Sequence, residues 1–453
     1  MKRRKLLSTF LLSSLLHGCA VYHPLALDEA SIAGKLAPPD LQTIRIAARE
    51  IRHPILKPMD FNASDGLSPD EAAILAVLAN LKLRAARDQR ELAQAQLLQA
   101  GILPNPQLSY ALGIPTGGAT EGTVNAYNFD FNWELKSILS RGANVSAAKE
   151  NAASVDLDVA WQEWQIAEAA KLHVYHLHFF DQQLAIAGRE QKSLAENFDR
   201  IKRAFALGFV TRIDLAAADA ALAKMRSTVL TAEQQREEER LALNQSVGFG
   251  DGRNLPIEKN FAVPSATVLP PSAELSAGIE QRRLDLLALK RGYEAQEQRL
   301  RAAILGQFPK ISIGFQRARD NSDVITTGFG VTIDIPLFDR NQGAIAVENA
   351  TRTRLFDEYV ARLVEARGEV ARLTAGIDSL NRQIDATQAL IPTLQNLIES
   401  YRTALLQGNA DVLTYYNARA DLVAKQLDVV DLNRQLADMY VALEIASGRY
   451  LHP

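Results

Sequence analysis

The sequence contains little that would support catalysis or nucleic-acid binding. Its single cysteine excludes an intrachain disulfide and any metal site built on two cysteine ligands. It has no glycine-rich phosphate loop and no Gly-x-Ser-x-Gly nucleophile elbow. The formal charge is −3, whereas a nucleic-acid-binding domain usually has a basic excess. We therefore expect no enzyme, no cofactor and no nucleic-acid partner.

The first 18 residues have the pattern of a lipoprotein signal peptide. A cationic stretch, residues 2–5, precedes an apolar stretch, residues 6–16, that is too short to span a bilayer. Residues 16–19, Leu-His-Gly-Cys, resemble the lipobox of bacterial lipoproteins and place Cys19 at the lipidated position. The residue after the cysteine is Ala20 and not aspartate, which resembles the pattern of lipoproteins sorted to the outer membrane. An uncleaved anchor or a buried free cysteine is the alternative.

The segment 19–67 has five prolines, which disfavour helix, and we predict that it is an extended, lipidated N-terminal arm. Ser68 and Pro69 then provide the N-cap and first position of a helix.

From this point the chain repeats itself at an offset of about 200 residues. Each copy, 68–248 and 272–450, reads as helix, two strands, long helix, tight turn and long helix, and the proline-rich and glycine-rich residues 249–271 join them. In the second copy, apolar residues step by three and four from Phe356 to Leu405, which is the period of a coiled coil. One helix of that length would reach about 100 Å.

The four predicted strands alternate strictly, in two hairpins at 104–136 and 308–337. The apolar positions predicted to face lipid are Phe129, Phe131, Trp133, Val331, Ile333 and Ile335. The polar positions predicted to line a barrel lumen are Asn128, Asp130, Asn132, Thr332 and Asp334. A membrane barrel needs this pattern, but a soluble hairpin packed on a core has it too. Because four strands cannot close a barrel, transmembrane hairpins would require a dimer with eight strands or a trimer with twelve.

The order of these motifs, present twice, resembles the TolC family of outer-membrane efflux proteins. The resemblance rests on residues 103–106 (Leu-Pro-Asn-Pro), 283–286 (Arg-Leu-Asp-Leu) and 336–343 (Pro-Leu-Phe-Asp-Arg-Asn-Gln-Gly), and on two glycine turns between long helices. The stretch 336–343 is also similar to that of heavy-metal exporters.

This resemblance implies a mainly α-helical fold with a membrane β-barrel. A homotrimer would share one 12-stranded barrel, four strands from each chain, above a long α-helical coiled-coil barrel. It implies a lipid-anchored outer-membrane channel that extends into the periplasm and serves as the passive conduit of a tripartite efflux system. Its partners would be a periplasmic adaptor and an inner-membrane pump of the RND type. A periplasmic adaptor or coiled-coil scaffold is the alternative, because adaptors also have a lipobox and helical hairpins.

The resemblance also places the periplasmic gate at the two glycine turns. The predicted tip residues are Gly208, Arg212, Asp214, Gly408, Asp411, Leu413 and Tyr415. The family's acidic positions in the second copy are Thr414 and Asn417 here, and Asp411 is the candidate replacement. Helix-start acids with no role in gating are the alternative.

The sequence has two further candidate sites, a group of histidines and a run of charges. His173 and His176 share a helix face and His178 does not. Because His173 lies on the heptad seam, we expect it to pack in the helical wall, and we expect no metal site. We expect the charge run at 236–240, Arg-Glu-Glu-Glu-Arg, to be a solvated helix face.

We predict that the mature protein begins at a lipidated Cys19. Mass spectrometry of the purified protein should detect the acyl chains on that residue, and Cys19→Ser should leave the fold intact because the barrel would hold the membrane independently. A mature protein that still begins at Met1 would contradict the prediction.

Overall fold

The computed structural model describes residues 21–250, 252–264 and 269–451, so the predicted leader and Cys19 lie outside the described residues. The chain divides into two units, 1–39 and 40–453. In the first unit, α1 (Glu29–Leu36) begins at Asp28, whose carboxylate accepts the backbone N–H of Ser31. The elements below belong to the second unit.

The N-terminal arm is not extended throughout, so the prediction from its prolines is wrong for two stretches. Besides α1, residues Leu41–Arg49 form α2, which is capped by Asp40. The prolines stop helices only locally, and an aspartate just ahead of each proline-free stretch satisfies the first N–H groups of a helix. Residues 50–67 contain neither helices nor strands, apart from an isolated bridge between Leu67 and Ile257.

The two predicted copies follow the same order of elements. The first consists of α3 (Pro69–Ala79), α4 (Leu81–Gly101), β1 (Gln107–Gly113), β2 (Ala126–Glu134), α5 (Lys136–Ala206) and α6 (Arg212–Ser246). The second consists of α7 (Ser272–Ser276), a 3₁₀ turn (Ile279–Gln281), α8 (Leu284–Leu305), β3 (Lys310–Arg319), β4 (Ile325–Asp334), α9 (Gln342–Leu406) and α10 (Val412–Ser447). As expected, Ser68 forms a capping box with Glu71, and Pro69 is the first residue of α3.

The long helices have the predicted length and seam. The helix α5 has 71 residues and α9 has 65, so each is about 100 Å long. The buried residues of α9 are Ala366, Val370, Leu373, Ile377, Leu380 and Ile384, at spacings of three and four. They pack with residues of α10, including Leu436, Tyr440 and Leu443. No helix among the described residues is both long and apolar enough to cross a bilayer.

The four strands form one antiparallel sheet in the order β1-β2-β3-β4. The strands have 7, 9, 10 and 10 residues, so all but β1 have the 9–11 residues typical of a tilted membrane strand. In this order β1 and β4 each have a neighbour on one side only, so the sheet has two unpaired edges.

The stretch 336–343 is a tight connection from β4 into α9. Asn341 has a left-handed backbone (φ 61°), and its side-chain amide donates to the carbonyl oxygen of Ala303 in α8 at 2.6 Å. Asp339 accepts the backbone N–H of Asn341 at 2.8 Å. At Gly306, a Cβ atom would lie only 2.5 Å from the Asn341 amide nitrogen, so glycine permits this close approach. The motif thus fixes the junction between sheet and helix.

Candidate functional site

The sheet has one apolar and one polar face, because its register aligns like with like. On the apolar face Phe131 lies opposite Phe315, and Phe315 lies opposite Phe329 with the last two rings 5.3 Å apart. Four of the predicted lipid-facing side chains, Phe131, Val331, Ile333 and Ile335, are between 38% and 73% exposed. A fifth, Phe129, is at 36%. The indole of Trp133 donates to the carbonyl oxygen of Pro104 at 2.9 Å and is partly buried.

The predicted lumen residues lie on the opposite face, mostly beside polar partners. Asp130 is opposite Ser109 and Gln316, Thr332 is opposite Ser312, and Asp334 is opposite Lys310. The side-chain carbonyl of Asn128 accepts a hydrogen bond from Gln316 at 3.1 Å. Asn132 is opposite Gln107. This face is therefore suited to water, and the other to an apolar medium.

The two predicted tips are helix C-terminal glycine motifs. Gly208 and Gly408 have φ of 77° and 74°, the left-handed region that glycine adopts without strain. After each glycine the next backbone N–H reaches back to the preceding helix, from Phe209 to Ala204 and from Asn409 to Ala404. This pairing satisfies the last carbonyl groups of the helix.

The two tip aspartates cap the helices that follow. Asp214 accepts the backbone N–H and the hydroxyl of Thr211 at 2.8 and 2.7 Å, which forms a capping box. Asp411 is itself the N-cap of α10, and its hydrogen bonds from the Thr414 hydroxyl and backbone N–H lower its pKa. Arg212 forms no ion pair with Asp214 among the described contacts. Asp411 is exposed and Asp214 is half-buried, so both carboxylates retain contact with solvent.

Behind the tips, α5, α6 and α10 share a small core that includes Tyr416 and Val423. Leu413 is 52% exposed, and the ring of Tyr415 lies 5.7 Å from the guanidinium of Arg419. Arg419 donates to the Glu190 carboxylate at 2.7 Å and to the Ser193 hydroxyl at 2.9 Å, which joins α10 to α5. Sequence analysis missed this ion pair because its two members are 229 residues apart and neither belongs to a motif.

The charge run at 236–240 is not simply a solvated face, because Glu239 points inward. Its carboxylate bonds His173 at 2.6 Å and His176 at 3.0 Å, and the other ring nitrogen of His176 bonds Asp438 at 2.5 Å. Arg434 in turn pairs with Asp438 at 3.3 Å. The prediction of full solvation is therefore wrong at Glu239. No group of three or more potential ligands in the described chain could hold a metal ion.

The histidine cluster shifts two pKa values in opposite directions. Burial alone would lower the pKa of His176, but its hydrogen bonds to Asp438 and Glu239 outweigh burial and raise it to about 9. Burial alone would raise the pKa of Glu239, but its hydrogen bonds with His173 and His176 lower it to about 2. A protonated His176 therefore links α5 to α6 and α10 at neutral pH.

A second buried cluster lies where the two copies meet. Lys171 bonds Asp70 at 3.1 Å and Glu168 at 3.4 Å, and its ammonium lies 4.3 Å from the centre of the Tyr450 ring. Burial raises the pKa of Glu168 to about 7, although Lys171 opposes this. Glu168 is fully buried and also accepts the indole N–H of Trp164 at 2.9 Å.

Comparison with known proteins decides between the channel and the scaffold. The model of a family described as "Outer membrane efflux protein" matches residues 75–249 and 275–449, which is most of the chain. The chain belongs to this family. The two matched segments begin 200 residues apart and correspond to the two copies seen in the sequence and the fold. Family membership makes the protein an outer-membrane efflux channel and favours it over the periplasmic adaptor.

Individual relatives and solved structures agree with this assignment. The probable outer membrane lipoprotein SilC of Salmonella typhimurium is 23% identical over 82% of this chain and 83% of that protein. The cobalt-zinc-cadmium resistance protein CzcC of Cupriavidus metallidurans is 24% identical over 83% and 85%. A solved structure of CusC superposes with a TM-score of 0.72 at 20% identity, covering 88% of this chain and 98% of that one. The outer membrane protein VceC of Vibrio cholerae superposes at 0.71, with 18% identity over 85% and 97%.

We predict that His176 makes stability depend on pH. Its pKa is raised from about 6.5 to about 9, so its contribution is fully present below pH 6.5 and is lost as the pH rises through about 9. The difference in unfolding free energy between the native protein and His176→Gln should shrink by up to about 3 kcal/mol per chain over that range. Thermal unfolding of both proteins across pH 6–10 measures it.

The matched control is His178→Gln, on the same helix. Burial lowers the pKa of His178, so the difference in unfolding free energy between the native protein and His178→Gln should not shrink towards alkaline pH. Equal pH profiles for the native protein and His176→Gln would contradict the prediction.

Proposed function

We propose that the chain is the passive outer-membrane conduit through which a separate pump expels solutes. One observation carries the proposal: a two-faced antiparallel sheet at one end of helices about 100 Å long, whose other ends meet in two tight turns. A sheet of this kind suits a membrane, and helices of this length suit a duct across the periplasm. The chain has no nucleotide-binding motif, so the energy comes from a partner and no catalysis is involved.

The unpaired edges of the sheet support an oligomer, and the family resemblance implies that it is a homotrimer. A strand edge exposed to lipid leaves its N–H and C=O groups without partners, at a cost of several kcal/mol per group. Pairing β4 of one copy with β1 of the next removes both edges, and three copies give a closed barrel of 12 strands. Residues 128, 130, 132, 332 and 334 would then line the lumen.

The resemblance and the relatives suggest partners and a cargo for this channel. We propose that the tips meet a periplasmic adaptor, which connects them to an inner-membrane pump of the RND type, and that the lipid on Cys19 holds the N-terminal arm at the outer membrane. Two relatives are named for cation efflux and for resistance to cobalt, zinc and cadmium. These names support metal cations as cargo.

Cysteine scanning of residues 128–133 tests the barrel. A membrane-impermeant thiol reagent should label positions 128, 130 and 132 and leave 129, 131 and 133 unlabelled, because successive side chains point to opposite faces. Uniform labelling along β2 would refute the barrel.

A pair of charge substitutions gives an energetic test. Phe131→Lys, near the bilayer midplane, should cost about 2–4 kcal/mol per chain and reduce heat-modifiable trimers in the outer membrane. The adjacent Asn132→Lys, on the polar face, is the matched control and should assemble.

We further propose that Asp214 and Asp411 form a cation-selective ring at the closed tip. Threefold symmetry would place three copies of each around one axis, and like charges at a narrow opening attract cations. The double variant Asp214→Asn with Asp411→Asn should change conductance, cation selectivity or divalent block in planar bilayers. Asparagine at position 411 remains a good N-cap, and Thr211, the N-cap of α6, is unchanged, so the helix starts should persist.

Asp219→Asn, an exposed position one and a half turns further along α6, is the control and should conduct as the native channel does. If the double variant also behaves as the native channel, the two acids only cap helices. Phe209, Leu413 and Tyr415 are then the next candidates for the gate.

A further inference from the structure

Two arginines interrupt the apolar face of the sheet at the end farthest from the helices. Arg317 and Arg319 alternate along β3 with the same parity as Ile311, Ile313 and Phe315, so they point to the same side. Arg317 lies opposite Phe129 and Thr327, and Arg319 lies opposite Tyr127 and Ile325. No other lysine or arginine lies in the four strands on this face.

Their position along the strands matches the edge of a membrane. Ile335, at the helix end of the apolar face, is eight residues from Thr327, which pairs with Arg317. Eight residues span about 26 Å along a strand, or about 20 Å along the membrane normal at a tilt near 40°. The apolar band of a membrane barrel is about 25 Å tall, so Arg317 lies within about 5 Å of its outer boundary and Arg319, two residues further along, lies at the boundary. Their long side chains can extend to that boundary.

The charge of this pair is only partly compensated within the chain. Arg319 bonds Asp323 in the β3–β4 turn at 2.6 Å, and its Nε has no hydrogen-bond partner in the described chain. No described carboxylate lies within ion-pair distance of Arg317. Two positions apart on one strand, the Cα atoms of the two arginines are about 7 Å from each other, so both side chains can reach one phosphate or two. Guanidinium binds phosphate through paired, charge-assisted hydrogen bonds.

We propose that Arg317 and Arg319 form a binding site for the phosphate groups of outer-leaflet lipids, on the outside of the barrel. The site rests on the proposed function, since only a membrane barrel brings this face against lipid. A trimer has three such sites and six arginines. Bound anionic headgroups offset the cost of placing cations beside the hydrocarbon, and they fix the height of the barrel in the bilayer.

Native mass spectrometry of detergent-solubilised trimers, with added lipid A carrying two phosphates, tests the site. The double variant Arg317→Gln with Arg319→Gln should retain roughly tenfold less lipid A than the native trimer, because charge-assisted hydrogen bonds are lost. Arg317→Gln alone, which leaves the Arg319–Asp323 pair intact, should be intermediate. The zwitterionic phosphatidylethanolamine should bind equally to all variants.

The matched control is Lys310→Gln with Arg340→Gln, which removes two cations near the helix end of the strands and should leave lipid A binding unchanged. The thiol-labelling pattern of residues 128–133 in each background separates two kinds of failure. If the alternating pattern is present but lipid A binding is equal in the native trimer and the double variant, only the lipid site is refuted. If the alternation is absent, both the barrel and the site are refuted.

Discussion

The apolar seam between α9 and α10 is the interaction on which the rest of the structure depends. A helix of 65 residues has no reason to stay straight in water by itself, because its stability comes from packing one face. Residues such as Val370, Ile377 and Tyr440 supply that face at a spacing of three and four. The seam keeps the sheet and the tips about 100 Å apart. This separation allows one chain to present a sheet at one end and two tight turns at the other.

The two copies share elements but have diverged in their buried polar groups. The first copy holds Lys171 and Glu168 in its core, where a charge needs a partner to remain buried. The second holds Arg283, which bonds Asp285 and Glu369 at 2.9 and 2.8 Å. The first cluster joins α3 to α5, and the second joins the start of α8 to α9. A repeat can therefore preserve its topology through apolar spacing alone, while its ionic contacts specialise.

Periodic features of the fold were predictable from the sequence, and contacts between distant residues were not. The period of 3.5 in α9 and the period of 2 in β2 each report a local geometry, so the seam and the two faces of the sheet follow directly. The prediction of an extended arm failed because proline excludes helix only at its own position and just before it, which left room for α2. The inward turn of Glu239 depends on His173 and His176, 63 to 66 residues away, and a charge run contains no sign of such partners. The two glycine turns were predicted from the sequence. The Arg419–Glu190 pair behind them was not.

Tyr450 has a consequence for how the chain folds. Its ring packs against Trp164 at 6.3 Å and against Lys171, at the side of the core cluster that contains Trp164, although it follows almost all of the described chain. The first copy therefore cannot complete its core when it is synthesised and exported. The contacts of Tyr450 with Trp164 and Lys171 can form only after the second copy has been exported. The order of translocation thus delays closure of the first copy.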